Sequence, residues 1–544
     1  MAYKKYDVEL SPQQKAEAKV YLVGGGIASL AAAAFLIRDG DVLGHNITIF
    51  ESMDKLGGSL DGAGTPQDGY LLRGGRMFES KYLCTLDLFA SIPTLDGKTT
   101  VTEETLAWNT RMPTSSKSRL SLHGHRQIAP SFDLPESDIL TIERIVFESE
   151  SILGRSTIAD QFPQSFFNTP FWMMWSTTFA FQPWHSAAEF RRYLVRFTHM
   201  VSGFNRLKGI MRTVYNQYDS LVRPLQKWLE ERGVVFELGT DVIDLGIREH
   251  DGKKIVERID YERPGHSGDA VIGEVVVREN DYVLVTLGSM TEASSLGGME
   301  RAAPLQAKAK NGAWALWGKL ASGRPEFGNP HVFDGNIDAS KWISFTVTLS
   351  DPTFLRLIRD ATGNVAGEGG LITFSESNWR LSIVVPYQPH FIGQPNNIHV
   401  FWGYGLYVDK PGNFVNKPMT DCTGHDLMTE VLGHLRFEAD AEKIIQNAIC
   451  IPCMMPFITS QFMPRGEGDR PEIVPKHYTN LALMGQYCEL PDDVVFTVEY
   501  SIRSAQTAVH MLLGTKREPP AVYKSTFNAH VLLTALKALH DRAA

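Results

Sequence analysis

The residues best suited to chemistry near the start of the chain are Gly24, Gly25 and Gly26, followed by Ile27, Ala28 and Ser29. They read as G-x-G-x-x-S, with Ser29 where the dinucleotide-binding fingerprint has its third glycine. The first glycine makes a tight turn and the second lets backbone approach a pyrophosphate. The N–H groups of the following helix then face that anion. The flanking residues supply the elements this needs. Val20-Tyr21-Leu22-Val23 reads as a short buried parallel strand and Leu30 to Arg38 as a helix. Ile47 to Phe50 reads as the next strand. Glu51 at its end can accept hydrogen bonds from ribose hydroxyls, and Ser52 joins it in the cofactor-contacting set. Asp39 to Asn46 reads as a loop extension that lengthens the spacing between glycines and acid. The plainer alternative is a tight turn that holds no ligand.

The residues after Glu51 separate flavin from nicotinamide. Gly57-Gly58-Ser59 and Arg73-Gly74-Gly75-Arg76 resemble the glycine-pair and R-G-G-R segments of flavoproteins of the amine-oxidase type. Glycines there let backbone pass close to a flavin, and the arginines can face phosphate. Leu481 to Gln486 reads as a strand ending at Gly485, and Phe496 to Leu513 as a helix starting around Thr497, which resembles the last FAD-contacting unit of such proteins. Val234 to Leu238 with Val242, and the strand Tyr282 to Leu287 before Gly288, complete a discontinuous FAD domain. No second G-x-G-x-x-G follows a strand, so a built-in NAD(P)H domain is not supported.

Composition bounds the rest. The chain has 544 residues, 43% apolar and 21% charged, with a net charge of −9. This excludes global disorder and a disulfide scaffold, and argues against a nucleic-acid-coating surface. Five cysteines fit a reduced, cytoplasmic setting. The first 18 residues mix charges without an apolar core, so a leader peptide is not expected. Val20 to Ile37 is 18 residues without charge, but the glycines break it into strand and helix rather than a membrane span. The expected architecture is α/β: a discontinuous Rossmann-like FAD-binding domain with an inserted substrate-binding domain and a C-terminal helical segment. The FAD domain comprises 1–85, 226–300 and 471–514; 86–225 is a mainly helical substrate-lining region, 301–470 the substrate domain, and 515–544 the terminal segment.

Several further segments resemble the oleate hydratase family, also called myosin-cross-reactive antigens. They include Arg73-Gly74-Gly75-Arg76, Phe179-Ala180-Phe181 with Trp184-His185-Ser186, and Arg191-Arg192-Tyr193. Tyr215-Asn216-Gln217-Tyr218, Gln388-Pro389-His390-Phe391, Trp402-Gly403-Tyr404-Gly405 and Glu499-Tyr500-Ser501 add to them. The resemblance implies hydration of the cis-9 double bond of a free unsaturated fatty acid such as oleate to a 10-hydroxy fatty acid. FAD is required without net redox, with the reduced flavin as the candidate for greater activity. It puts the proton-donating tyrosine on Tyr193, within a helical stretch from Ser186 to Met200, and the carboxylate-binding residues on Gln217 and His390. Two further polar head-group positions are lost to Val384 and Pro386. The water-activating glutamate that follows R-G-G-R is replaced by Met77, which cannot accept a proton. Glu79 could substitute only if its loop turns inward; a solvated loop carboxylate is the competing reading. Gln217 could equally tie two backbone segments together, and His390 could be structural.

Other features carry less. Cys450-Ile451-Pro452-Cys453 is a lone C-x-x-C without a second pair, and no metal site is expected. Val522 to Ala544 suits a helix that either docks peripherally on the inner membrane face or packs on the body. Both a homodimer and a monomer remain open. A redox flavoenzyme of the amine-oxidase or desaturase type and a non-catalytic fatty-acid-binding protein are the alternative functions.

Overall fold

The computed structural model describes residues 17–127, 130–265, 269–525 and 528–540. The leader reading therefore falls almost wholly outside the described residues, as do the last four positions of the terminal segment.

The glycine turn lies between the expected elements. Strand Val20–Val23 and helix Ile27–Arg38 flank it, so the 18-residue uncharged run is strand, turn and buried helix. Helix formation begins at Ile27, three residues earlier than the apolar spacing suggested, because Gly26 serves as N-cap. Ala31, Ala32 and Ala33 are fully buried. Their small side chains let the helix lie close against helix Val498–Leu513, with which it makes extensive contact.

Val20–Val23 is the centre of a five-stranded parallel sheet. Its order is Leu481–Met484, Tyr282–Thr286, Val20–Val23, Ile47–Glu51 and Val235–Leu238. The register pairs Val20 with both Tyr282 and Ile47. Strands far apart in sequence thus complete one sheet, as a discontinuous Rossmann-like domain requires. Asp241–His250, Lys253–Pro264 and Ala270–Val276 form a separate antiparallel sheet.

A second, eight-stranded mixed sheet is built around Trp342–Leu349, His399–Gly405 and Ala448–Met455. Every residue of Trp342–Leu349 is buried, which explains why this strand reads as a continuous apolar and threonine run. Leu120–Leu122 pairs in parallel with Leu371–Phe374, so the mainly helical 86–225 region also contributes strands to this sheet. Tyr70 and Leu72 donate backbone N–H groups to Thr348 and Thr346, joining the Gly62–Leu72 hairpin to the eight-stranded sheet.

The described part of the terminal segment includes helix Ala529–His540, which starts later than the expected Val522. Ala535 and Leu539 are buried against the body, whereas Leu533 is exposed. No helix among the described residues is long and apolar enough to cross a membrane.

Candidate active site

The glycine turn forms a cradle for an anion. Gly24 sits at φ +93°, and the helix after Gly26 has neither a side-chain cap nor an acid in its first turn. Its first N–H groups are therefore left for an external acceptor. A Cβ built on Gly26 would meet nothing within 4 Å, so the backbone there borders open space. Gly25 is the tight position: a Cβ would stand 2.7 Å from Leu56 and 2.8 Å from a Glu51 carboxylate oxygen. That oxygen accepts the Gly25 N–H at 2.6 Å, while the other accepts from the Met53 N–H at 2.9 Å and the Ser52 hydroxyl at 3.2 Å. Glu51 thus ends its strand folded against the turn, with Ser52 bracing it. Ser29 is buried and pairs with Thr286 at 3.2 Å, so its side chain packs helix onto sheet, as the fingerprint's third glycine does.

Gly57 and Gly58 adopt φ +112° and +55° and bring this loop onto the turn through a bridge between Gly57 and Gly26. Gly485, at φ +91°, donates its N–H to Ser504. Thr497 caps helix Val498–Leu513 by accepting from the Tyr500 N–H at 3.2 Å. Val242 is buried opposite Tyr261 and lines neither chamber described below. The two arginines differ. Arg73 pairs with Asp61 at 2.8 Å, so its charge is balanced within the protein. Arg76 donates to the Ser59 carbonyl at 2.8 Å and has no ion-pair partner among the described residues; burial pushes its guanidinium down to about 10.

Beside the cradle lies a chamber of about 130 Å³ that reaches from Ile27 to Tyr193. Its wall combines aromatic side chains, including Phe179, Phe197, Trp342, Tyr404 and Phe496, with the charged Arg73, Arg76 and Glu79. Tyr193 projects from helix Ala187–Phe197, shorter than the expected stretch to Met200 because Thr198–Arg206 tightens into a 3₁₀ helix. Glu189, on the same helix, bonds Arg465 at 2.6 Å and Arg470 at 2.8 Å. Arg192 pairs with Glu150 and Glu489 at 2.7 Å each. These buried pairs fix the helix that carries the phenol. Phe179, Phe181 and Phe462 surround the Tyr193 ring at centroid separations of 5.0, 4.9 and 5.7 Å. Its hydroxyl donates to the Val495 carbonyl at 2.5 Å. Burial, reinforced by nearby acidic groups, pushes the phenol well above its ordinary value, so it keeps its proton.

Met77 lines this chamber and a smaller one of about 50 Å³ with which it shares a wall. Glu79 lines the large chamber, so its loop does turn inward and the solvated reading is corrected. Arg196 lies 2.7 Å from one carboxylate oxygen and His199 3.5 Å from the other. Burial favours the neutral acid, but His199, Arg196 and the Lys81 N–H together hold Glu79 below the usual carboxylate range. It is charged and a weak base.

Gln217 borders both chambers. Its amide oxygen and nitrogen are buried without a protein partner, which removes the reading that it ties backbone segments together. Asn216 makes that tie instead, because its side-chain amide and backbone N–H both donate to the His390 carbonyl, at 3.0 and 2.9 Å. The Gln217 and His390 segments are thereby joined beside the smaller chamber. Burial, aided by Arg212, pushes the His390 imidazole down to about 4, against the opposing effect of Asp219, so it is neutral near pH 7.

The model of the MCRA family matches residues 17–510. The chain belongs to the MCRA family. An oleate hydratase of Streptococcus pyogenes serotype M49 (strain NZ131) is 37% identical over 555 residues, covering 100% of this chain and 93% of the relative. A linoleate hydratase of Lactiplantibacillus plantarum is 31% identical over 545 residues, covering 92% of this chain and 94% of that one.

In this MCRA-family chain, residue spacing missed several parts of the site. Phe496 takes a left-handed φ of +67°, held by its N–H bond to Gln486. Both residues line the large chamber, and a non-glycine in that region is a recurrent mark of functional sites. Arg212 lines the small chamber, and nothing in its spacing marks it. The lone C-x-x-C is settled by geometry. Cys450 and Cys453 lie three apart on one strand and face opposite sides of it, and both are free and buried.

Proposed function

We propose that this MCRA-family protein is a fatty acid hydratase, adding water across the cis-9 double bond of a free unsaturated fatty acid such as oleate to give the 10-hydroxy acid. The observation that carries the reading is the continuous chamber running from the anion cradle at Ile27 to the buried phenol of Tyr193. The names of the two relatives point to the same chemistry.

The residues fit FAD. The uncapped helix N-terminus and the open side of Gly26 suit its pyrophosphate; Gly24, Ile27, Ala28, Gly57, Gly58, Ser59 and Glu51 surround that cradle; and Gly485 and Thr497 belong to the last unit. When bound, FAD supplies a rigid polar ring surface, and hydration consumes none of its electrons. Tyr193 gives its proton to one olefinic carbon, water oxygen bonds the other, and the proton that water loses returns to the Tyr193 oxygen, so the enzyme is restored and one water is added in balance. Apolar walls exclude competing water from the electron-poor carbon. Met77 leaves no carboxylate at its position. Glu79 is the acid lining the chamber and takes the water-orienting role in this reading. Gln217 and His390 offer neutral hydrogen-bonding groups to the acid head.

The test is incubation of the flavin-loaded enzyme with oleate in labelled water, oxidised and reduced in parallel. The expected product carries one solvent oxygen and one solvent hydrogen, with no electron acceptor consumed. Acceptor consumption would show redox chemistry, and unchanged oleate under both conditions would end the hydratase reading.

A further inference from the structure

The small chamber contains an unbalanced charge. Arg212 lines it together with Gln217 and His390. Its backbone is pinned from both sides by Asn109, which accepts the Arg212 N–H at 2.9 Å and donates to the Arg212 carbonyl at 2.7 Å. Its Nη1 donates to the Gly367 carbonyl at 2.8 Å. Nε and Nη2 are buried with no hydrogen-bond partner. Gly370, at φ +72°, makes room for the group, since a Cβ there would stand 2.7 Å from Nη2.

No carboxylate among the described residues forms an ion pair with this guanidinium. Asp219, the acid felt by the neighbouring His390, is already committed: one oxygen accepts from Arg223 at 2.9 Å, the other from Asn216 and the Ile392 N–H, each at 2.9 Å. A guanidinium does not escape the cost of burial by losing its proton. Left without an anion, it is an expensive feature to keep inside a protein. The groups beside it are neutral: the unpartnered Gln217 amide and the uncharged His390 ring. Arg73, paired with Asp61, and Arg76, tied to the Ser59 carbonyl, also line this chamber; Arg212 is the cation whose charge is felt at His390 and whose Nε and Nη2 have no partner, which suits the negative head of a ligand with an apolar chain.

We propose that Arg212 is the counterion of the substrate carboxylate, with Gln217 and His390 completing its hydrogen bonds. This rests on the fatty acid reading and adds the residue that selects an acid over an uncharged lipid of the same chain. Arg212 acts on binding, since the charge it neutralises is the same in ground and transition states.

The test compares wild type, Arg212→Gln and Arg212→Lys on oleate and on oleyl alcohol, which keeps the chain and double bond but carries no charge. Turnover and equilibrium binding are both measured. A charge-assisted bond of ordinary strength predicts that Arg212→Gln weakens oleate binding and raises its KM by about 10- to 100-fold. The kcat for oleate and both constants for the alcohol stay near wild type, and Arg212→Lys falls between. Equal losses on both lipids, or no loss on oleate, overturn the proposal. Should Arg212→Gln fail to fold, Arg212→Lys decides by the same oleate-to-alcohol ratio. Binding separates the two ideas: a wild type that binds oleate through Arg212 without hydrating it sinks the hydratase reading alone, and a hydratase indifferent to Arg212→Gln sinks this proposal alone.

Discussion

Replacing Tyr193 with phenylalanine is the sharpest perturbation of the site, because it removes one oxygen and leaves the ring's packing intact. The oxygen's sole hydrogen bond in the structure goes to the Val495 carbonyl, at 2.5 Å. Losing that bond costs about 1 kcal/mol, and leaving the carbonyl unsatisfied raises the cost to at most about 3 kcal/mol. The edge and face contacts with Phe179, Phe181 and Phe462 survive, so the variant should fold, bind flavin and bind oleate as wild type does. Turnover should fall far more than stability, by about 10²–10⁴-fold, the usual contribution of a positioned proton donor. The phenol is held above its ordinary value, which makes it a weaker acid than free tyrosine. Its effectiveness must then come from position and from the absence of competing bases rather than from acid strength. A corollary follows for pH: Tyr193 stays protonated and contributes no alkaline limb to the wild-type rate between about pH 6 and 9. The assay is initial-rate formation of the hydroxy acid, with flavin absorbance and melting temperature as controls. A Tyr193→Phe enzyme that keeps more than about a tenth of wild-type turnover would refute the assignment.

Three other outcomes are expected. Gly25→Ala should purify without the yellow flavin absorbance, because its Cβ would fall within 3 Å of Leu56 and Glu51 and push the turn open; normal flavin content would show that the cradle tolerates the side chain. Met77→Glu should raise hydration by about 10-fold or more, since a well-placed general base contributes at least that much; complete loss would mean that the chamber is built around methionine. His434 is buried between Glu376 at 3.1 Å and Glu430 at 3.2 Å. Burial opposes its charge, but the two acids raise it above 6.5 and are themselves lowered below 4.5. The histidine's contribution is full below 6.5 and lost as pH rises through its folded value, while the acids' contribution is present above 4.5 and lost as pH falls through theirs. Urea unfolding should therefore show the largest stability gap between wild type and His434→Gln between those two limits, shrinking at about pH 9; a gap independent of pH would dissociate the cluster from ionisation.

The parts of the site that could be read from sequence are those where chemistry needs a particular backbone. Gly24 and Gly25 are required by a positive φ and by a 2.7 Å approach, and no other residue type meets both demands. Glu51 was legible for the same reason, since its strand must end where the turn begins. Side chains whose meaning depends on distant partners were not legible. Glu79 reads as either an inward base or a solvated acid until Arg196 and His199, more than 100 positions away, close on it. The family resemblance pointed to Tyr193 and Gln217, yet it could not say that one hydroxyl is tied to Val495 or that one amide has no partner.

Arg212 shows why such residues stay hidden. Arginine is common on surfaces, and five positions before Gln217 it falls on no periodic face. Its significance is a deficit, a buried cation with no acid paired to it, and a deficit appears only when every neighbour is known. Position 77 is half hidden. The family resemblance marks the methionine there as a missing carboxylate, but only the structure shows that it borders both chambers at once. In this fold the backbone of the cofactor cradle is written locally, by glycines. The charge balance of the two chambers is written across segments far apart in sequence, from the 86–225 and 301–470 regions that share one sheet. Met77, Glu79 and Arg212 lie outside the glycine turn at Gly24 to Gly26, so substitutions there change the chambers' charge and leave that turn's backbone untouched.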